Sequence, residues 1–215
     1  MTDAFETVQP KQPPIEEPAF YNDLSATLEH AWKLLDSGTK DRRSGFHAPV
    51  VASIGLDGSP QQRTMILRKV EVGNRQLRFN TDIRSTKLQE IKASPAVSVL
   101  AYSVADKVQL RMTGVARLDA SSALADAVWS AMRDQSRVAY AQPAIPGATI
   151  KAPEAYVPPL ELRASEPAAV TAREHFCLLH VEITSLEWVY LHLHGNRRAH
   201  FCWPNGVLES RWLAP

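Results

Sequence analysis

Cysteine is scarce in this chain, with two thiols, Cys177 and Cys202, in 215 residues. Two isolated cysteines cannot make a disulfide framework, and neither has an activating partner at a fixed spacing that would support nucleophilic catalysis. An excess of either charge is also missing. Lys plus Arg number 24 and Asp plus Glu 23, for a net charge of +1. No global field therefore draws the chain to nucleic acid or to an anionic membrane, and any anion it binds must be held locally. No apolar run approaches the roughly 18 residues that suggest a membrane span. The N-terminus lacks the basic-then-apolar layout of a secretory signal, so a soluble, cytoplasmic protein is expected. There is no glycine-rich dinucleotide fingerprint, no nucleophile elbow, no Ser-His-Asp order and no internal repeat.

What is present is a succession of short apolar runs punctuated by turns. Residues 1–19, rich in proline and acid, cannot bury enough apolar surface to hold a fold and read as a flexible arm; residues 20–215 read as one domain. Leu28, Trp32 and Leu35 recur at helical spacing from Leu24 onward, with Gly38 as the expected stop. Asp57-Gly58 and Gly73-Asn74 then separate three expected strands of a meander, at about 48–55, 62–71 and 76–80. A short helix over 85–93 precedes two further strands, "AVSVLAYS" and "KVQLRMTGVARL". The segment "SSALADAVWSAMRDQSR" has an apolar face and Ser121 or Ser122 as N-cap. A proline-rich loop, 141–172, is long enough to cover a site or wrap a neighbour. The chain returns to strands at "FCLLHVEITSLEWVYLHL", "RRAHFCW" and "VLESRWLA", with Asn205-Gly206 marking a hairpin. Strand-dominated halves joined by tight turns imply a mainly β fold, an antiparallel barrel with helices packed outside it.

Chemistry concentrates in "FNTDIRSTKLQE", residues 79–90. A helix start offers unpaired N–H groups and the positive end of the helix dipole. Ser85 adds a hydroxyl there, and Lys87 and Arg84 add charge-assisted donors, so the stretch reads as half of an anion cradle or as an ordinary N-cap with solvated basic neighbours. In "QQRTMILRKV", Arg63 and Arg68 lie five apart, on opposite faces of a regular strand. One can face a phosphate and the other a second region, or both are strand-end charges in water.

The order Arg-Thr-Met-Ile-Leu-Arg, Phe-Asn-Thr-Asp-Ile-Arg-Ser-Thr-Lys, Gln109 in "VQLRMTG" and a final "RWLAP" resembles the pyridoxamine 5′-phosphate oxidase-like, FMN-binding split-barrel family. The resemblance runs over about residues 45–137 and 176–215. The forms "TDIRSTK" and "FCLLHVEITSLEWV" look closer to a related flavin-binding branch than to the oxidase proper. It implies a Greek-key-like split β-barrel with flanking helices and FMN as cofactor. By the same resemblance Arg63 and Lys87 hold the FMN phosphate, helped by Ser85 and Arg84. Thr64, Met65, Ile66 and Leu67 line the flavin, with Arg68 at its polar edge. Asn80 and Thr81 stand next to the phosphate and ribityl chain, and Gln109 bonds the isoalloxazine. Counting back from the shared "LAP" puts Trp188 and Arg198 at flavin-contacting positions supplied by the other subunit, which implies a homodimer with FMN at the interface.

The resemblance also marks departures. Where pyridoxamine phosphate oxidases carry a substrate-contacting arginine and histidine, the same count gives His194 and Asn196, and Arg68 replaces a substrate-facing lysine. Ser136 matches a serine that binds the substrate's phosphate, without its usual tyrosine and arginine companions. Substrate identity is therefore left open at Arg68, Ser136, His194 and Asn196. His192 and His194 share the i, i+2 spacing of metal pairs, but no carboxylate or cysteine recurs at ligand spacing, so no metal is expected. Trp203 and Trp212 read as hydrophobic anchors of the C-terminal strands. The leading expectation is an FMN-dependent oxidoreductase acting on a small organic substrate. The alternatives are a non-catalytic flavin carrier or sensor and a metal-binding barrel.

Overall fold

The computed structural model describes residues 18–152, 172–193 and 195–215. Most of the expected arm 1–19, much of the loop 141–172, and His194 lie outside the described residues. Helix α1 is Leu24–Lys40, and its first turn is capped by Asp23, whose carboxylate accepts the Ala26 N–H at 2.7 Å. It seats Ala31, Trp32 and Leu35 in the core. Gly38 does not stop it. The helix passes so close to the following turn that a Cβ at Gly38 would lie 2.4 Å from the Phe46 carbonyl oxygen, so glycine serves close packing here.

The strands are β1 Val50–Ile54, β2 Pro60–Thr64, β3 Leu67–Glu71, β4 Gln76–Asp82, β5 Ala96–Ser103, β6 Val108–Asp119, β7 Phe176–Tyr190, β8 Arg197–Cys202 and β9 Glu209–Leu213. Between them lie helices α2 Thr86–Ala93, α3 Ala123–Ser130 and α4 Asp134–Arg137. The single strand expected over 62–71 is in fact two. The chain leaves the ladder at Met65 and Ile66, where the Met65 N–H donates to Pro49 O (3.0 Å) and the Leu67 N–H to His47 O (2.9 Å). Hydrogen-bonded order runs β2-β1-β5-β6-β7-β4-β3, so β2 and β3, successive in the chain, stand at opposite ends of the path. The sheet curls into a split barrel whose two ends are joined by that two-residue step. This replaces the expected three-strand meander.

Alternation along each strand fills the interior: Leu77 and Phe79, Val97 and Val99, Leu110 and Met112 point inward and are buried. Strand β7 has β6 along one edge and two partners in turn along the other, β4 on its first half and β8 on its second. Its pairing with β6 shifts register between Thr113 and Gly114, where a Cβ on Gly114 would sit 2.3 Å from the Glu182 carbonyl oxygen. A second cluster, Ala125, Trp129, Phe176 and Leu178, fastens α3 to β7. The helix expected from 121 breaks after Ser130. Arg137 folds back and donates to the Trp129 and Ser130 carbonyls at 3.1 and 2.7 Å, satisfying the exposed end of α3. Of the two candidate caps Ser122 is the one used, accepting the Ala125 N–H at 3.1 Å. The β8–β9 turn falls at Asn205 and Gly206 as expected, both with positive φ.

Candidate functional site

Three groups of the expected residues are brought together, in three places. The first lies where the β2 edge meets the start of α2. Arg63 points inward from β2 and donates to Glu90 Oε2 at 2.8 Å and to Ser53 Oγ at 2.5 Å; Ser53 in turn donates to Glu90 at 2.6 Å. Glu90 is 5% exposed, so its charge is held by Arg63 rather than by water. Beside this pair Lys87 Nζ donates to Ser85 Oγ at 2.7 Å, and Ser85 Oγ donates to Asp82 O at 2.7 Å. Ser85 occupies the N-cap position of α2 but makes no side-chain cap bond, so its hydroxyl is turned to the lysine. Burial, reinforced by the neighbouring Arg63 charge, pulls the Lys87 ammonium below the usual lysine range. A desolvated ammonium with a serine as its hydrogen-bond partner, next to an arginine half-neutralised by a carboxylate, is arranged to accept a dianion.

Arg84 is placed elsewhere. Its guanidinium forks onto Asp82 at 3.0 and 2.7 Å and donates to the Gln142 carbonyl at 2.9 Å. Those hydrogen bonds hold Arg84 above the normal arginine range. Asp82 is pushed up by burial, but the Arg84 bonds outweigh this and leave it low. Arg84 therefore ties the turn before α2 to the segment after α4, and its charge is spent on Asp82.

The second group surrounds a cleft of about 500 Å³ between the outer face of β4 and helices α3 and α4, lined among others by Arg68, Arg78, Asn80, Met132, Ser136 and Tyr140. Arg68 is aimed there by a bulge. Leu67 and Lys69 pair with the successive residues Phe79 and Arg78, so Arg68 is the extra residue of β3. Burial pushes the Tyr140 hydroxyl up to about 12, with Arg68 pulling the other way. Between the two groups the step residues divide by face: Met65 and Leu67 are buried in the core, and Thr64 and Ile66 are exposed. Only those two can offer side chains to a ligand. Asn80 Oδ1 and Thr81 Oγ1 are buried without a hydrogen-bond partner.

The third group lies on β6 and at the start of β8. Gln109 is half-buried on β6, flanked by Tyr102 and Val189. Arg198 donates to Glu187 at 2.9 Å, and Glu187 also receives Arg111 at 3.0 Å. Asn196 and Arg198 line a shallow hollow with Trp212. Trp188 joins none of these places. It is fully buried, stacked on Tyr190 at 5.7 Å and edge-on to Phe20 at 5.9 Å. An indole sealed inside its own barrel has no surface for a cofactor held by a partner, which corrects the role that the count back from "LAP" implied. Among the described residues no group of three His, Cys, Asp or Glu side chains is placed to hold a metal ion.

Sequence reading missed Glu90, Ser53, Arg78 and Tyr140. Glu90 left a faint signal, being a carboxylate on the core-facing side of α2 beside the buried Leu88 and Ile91. The others acquire meaning only when the barrel closes.

Residues 29–119 match the family described as pyridoxamine 5′-phosphate oxidase, FMN-binding domain. A curated relative, pyridoxine/pyridoxamine 5′-phosphate oxidase 2 of Arabidopsis thaliana, is 29% identical over 194 residues, covering 85% of this chain and 94% of the relative. Among solved structures, a pyridoxamine 5′-phosphate oxidase-related, FMN-binding protein of Nostoc punctiforme superposes with a TM-score of 0.67 at 21% identity, covering 86% of this chain and 96% of that one. PhzG of Burkholderia lata, solved in complex with tetrahydrophenazine-1-carboxylic acid, gives 0.66 at 16% identity, covering 94% and 98%. The two structural likenesses establish the shared fold.

Proposed function

We propose that this chain, similar over residues 29–119 to the FMN-binding domain of the pyridoxamine 5′-phosphate oxidase family, is a member of that family, takes FMN as its cofactor and is a homodimeric oxidoreductase acting on a small organic donor. The observation that carries this reading is the pair of sites flanking the Met65–Ile66 step, a cationic cradle at Arg63, Ser85 and Lys87 and a cleft at Arg68, Asn80 and Ser136. The donor set suits a phosphate monoester. Lys87 and Ser85 are free to turn from each other to a shared anion, and the unpartnered Thr81 hydroxyl is a further donor on the strand that runs into the cradle. FMN, when bound, supplies the two-electron acceptor.

The protein's own residues then have separate tasks. Arg63 and Lys87 anchor the phosphate, and Glu90 fixes the Arg63 fork so that little is lost in ordering it. Thr64 and Ile66 offer side chains at the step, and Arg68 faces both step and cleft. The α3–α4 wall, through Val128 and Met132, keeps water from one side of the donor. Gln109, Arg198 and Asn196, away from both sites on β6 and at the start of β8, serve the partner's site in a homodimer. Leu100, Tyr102 and Val115, all above 40% exposed on β5 and β6, supply apolar surface for that contact.

The test is direct. Purified protein should be yellow with flavin absorbance, run as a dimer, and bleach anaerobically on addition of a donor. Pyridoxamine and pyridoxine 5′-phosphates are the first donors to screen, given the curated relative's name. Protein that takes up no FMN refutes the reading. A yellow protein that no donor of a broad panel bleaches would instead be a flavin carrier.

A further inference from the structure

Asp82, the last residue of β4, is bonded toward both sites. Its main-chain carbonyl serves the cradle, accepting the Ser85 hydroxyl at 2.7 Å and the Ser85 N–H at 3.2 Å, and Ser85 in turn holds Lys87. The Asp82 carboxylate serves Arg84, accepting its main-chain N–H at 2.8 Å and two arms of its guanidinium fork. The remaining arm of Arg84 reaches to the Gln142 carbonyl at 2.9 Å and, more weakly, to that of Pro143 at 3.5 Å. The Arg84 and Asp82 side chains are only 16% and 11% exposed, so water competes little for either.

Gln142 and Pro143 continue the segment that carries Ser136, Ala139 and Tyr140, one end of the cleft wall. That segment is fastened a second time by His175, whose Nδ1 meets the Tyr140 carbonyl oxygen at 2.8 Å. Among the described residues Arg84 is the one side chain of the turn 82–85 hydrogen-bonded to it. Because Arg84 grips main-chain carbonyls, it fixes the path of the segment whatever side chains stand at 142 and 143.

Resting on the reading of the cradle as the FMN phosphate site, we infer that Arg84 is a positioning residue that carries the occupancy of the cradle to the cleft, so that the wall at Ser136, Ala139 and Tyr140 is held more firmly once phosphate has fixed the turn. A phosphate bonded to Ser85 and Lys87 restrains the turn on one side of Asp82. The carboxylate on the other side loses freedom with it, and Arg84 then has a fixed post from which to hold the two carbonyls. Coupling between sites is carried by contiguous hydrogen-bonded contacts of this kind, and a ligand that orders one end lowers the cost of ordering the other. For the reaction this sets an order of events: FMN is seated first, and the donor meets a finished wall.

The test is hydrogen exchange, read by mass spectrometry on the full-length protein as apoprotein and saturated with FMN. The reporters are the Ser136, Arg137 and Ala141 amides, bonded to the Arg133 and Val138 carbonyls. FMN should slow their exchange roughly fivefold or more, the lower end of coupling between sites. In Arg84→Gln at saturating FMN that slowing should disappear, while the α2 amides beside the phosphate keep theirs. Arg84→Lys, which keeps the charge without the fork, should restore part of it. A variant that is merely less stable exchanges faster in both states and keeps the ratio between them, so the ratio separates positioning from bulk stability. A wild type whose segment exchanges alike with and without FMN overturns the inference whatever the variants do, as does an Arg84→Gln protein that keeps the wild-type ratio. If the protein takes up no FMN, the oxidoreductase reading fails on its own. Inorganic phosphate then takes the place of FMN in the same measurement, and a segment whose exchange phosphate does not slow overturns the role of Arg84.

Discussion

Replacing Arg63 should damage the protein twice, and the two injuries can be separated. The Glu90 side chain is 7% exposed and the Arg63 side chain 25% exposed, with 2.8 Å between them. Arg63→Met removes the partner and strands a carboxylate away from water. Breaking a buried pair from one side costs about 3–5 kcal/mol, and the quarter-exposed guanidinium favours the lower figure. For a chain of this size each kcal/mol moves the melting temperature by roughly 2–4 °C, so the apoprotein should melt about 6–12 °C lower. Adding Glu90→Gln removes the stranded charge and keeps an acceptor for the Ser53 hydroxyl, and the double variant should recover most of that loss. FMN affinity should not recover. Losing one charge-assisted bond to the phosphate weakens binding by roughly 1.5–3 kcal/mol, about ten- to 150-fold, in single and double variants alike. The assay is a thermal melt of the apoprotein beside a fluorescence-quenching titration with FMN. A double variant no more stable than Arg63→Met would refute the buried-pair argument, and one that regains FMN affinity would refute the placement of the phosphate.

Three further outcomes follow from the same geometry. Lys87 has its pKa lowered in the folded protein, and a bound dianion stabilises its charged form, so FMN affinity should fall as pH rises through the lowered value, below the ordinary lysine range. A flat affinity across the alkaline range, or a Lys87→Met variant with wild-type affinity, would contradict this. His180 is buried with Nδ1 on Gln76 at 2.8 Å, and its pKa is lowered mainly by burial and then by Arg117. The unfolded chain therefore binds the extra proton first, so stability should drop as pH falls through about 6.5 and below, and His180→Gln should flatten that slope in acid melts. Gly114→Ala should destabilise the barrel by roughly 1–3 kcal/mol or more, because its Cβ meets backbone 2.3 Å away; an unchanged melting temperature would show that β6 and β7 can separate there at little cost.

The barrel was legible in the sequence because alternation and turn dipeptides are local signals. Asn205-Gly206 and the apolar faces of α1 and α3 could be read without knowing the neighbours. The break at Met65–Ile66 could not, since "RTMILRKV" is continuous in β propensity and the break is made by carbonyls of Pro49 and His47. Gly38 misled for a related reason: its role is set by Phe46, which only the packed helix brings near. In the site, Arg63, Ser85 and Lys87 were found as residue types at the right spacing, and they do gather. Arg84 had the same credentials, and Asp82, two residues away, claims it. Trp188 was placed by counting back from the C-terminus, and burial, which such counting ignores, assigns it to the core.

The open join of the barrel gives the cofactor a mechanical task besides its chemical one. A ligand gripped at Arg63 on one margin and lying beside Arg68 on the other would lace together two sheet borders that otherwise share only a short covalent tether. Loading should thus slow hydrogen exchange in β2 and β3 in concert, although no backbone bond links them.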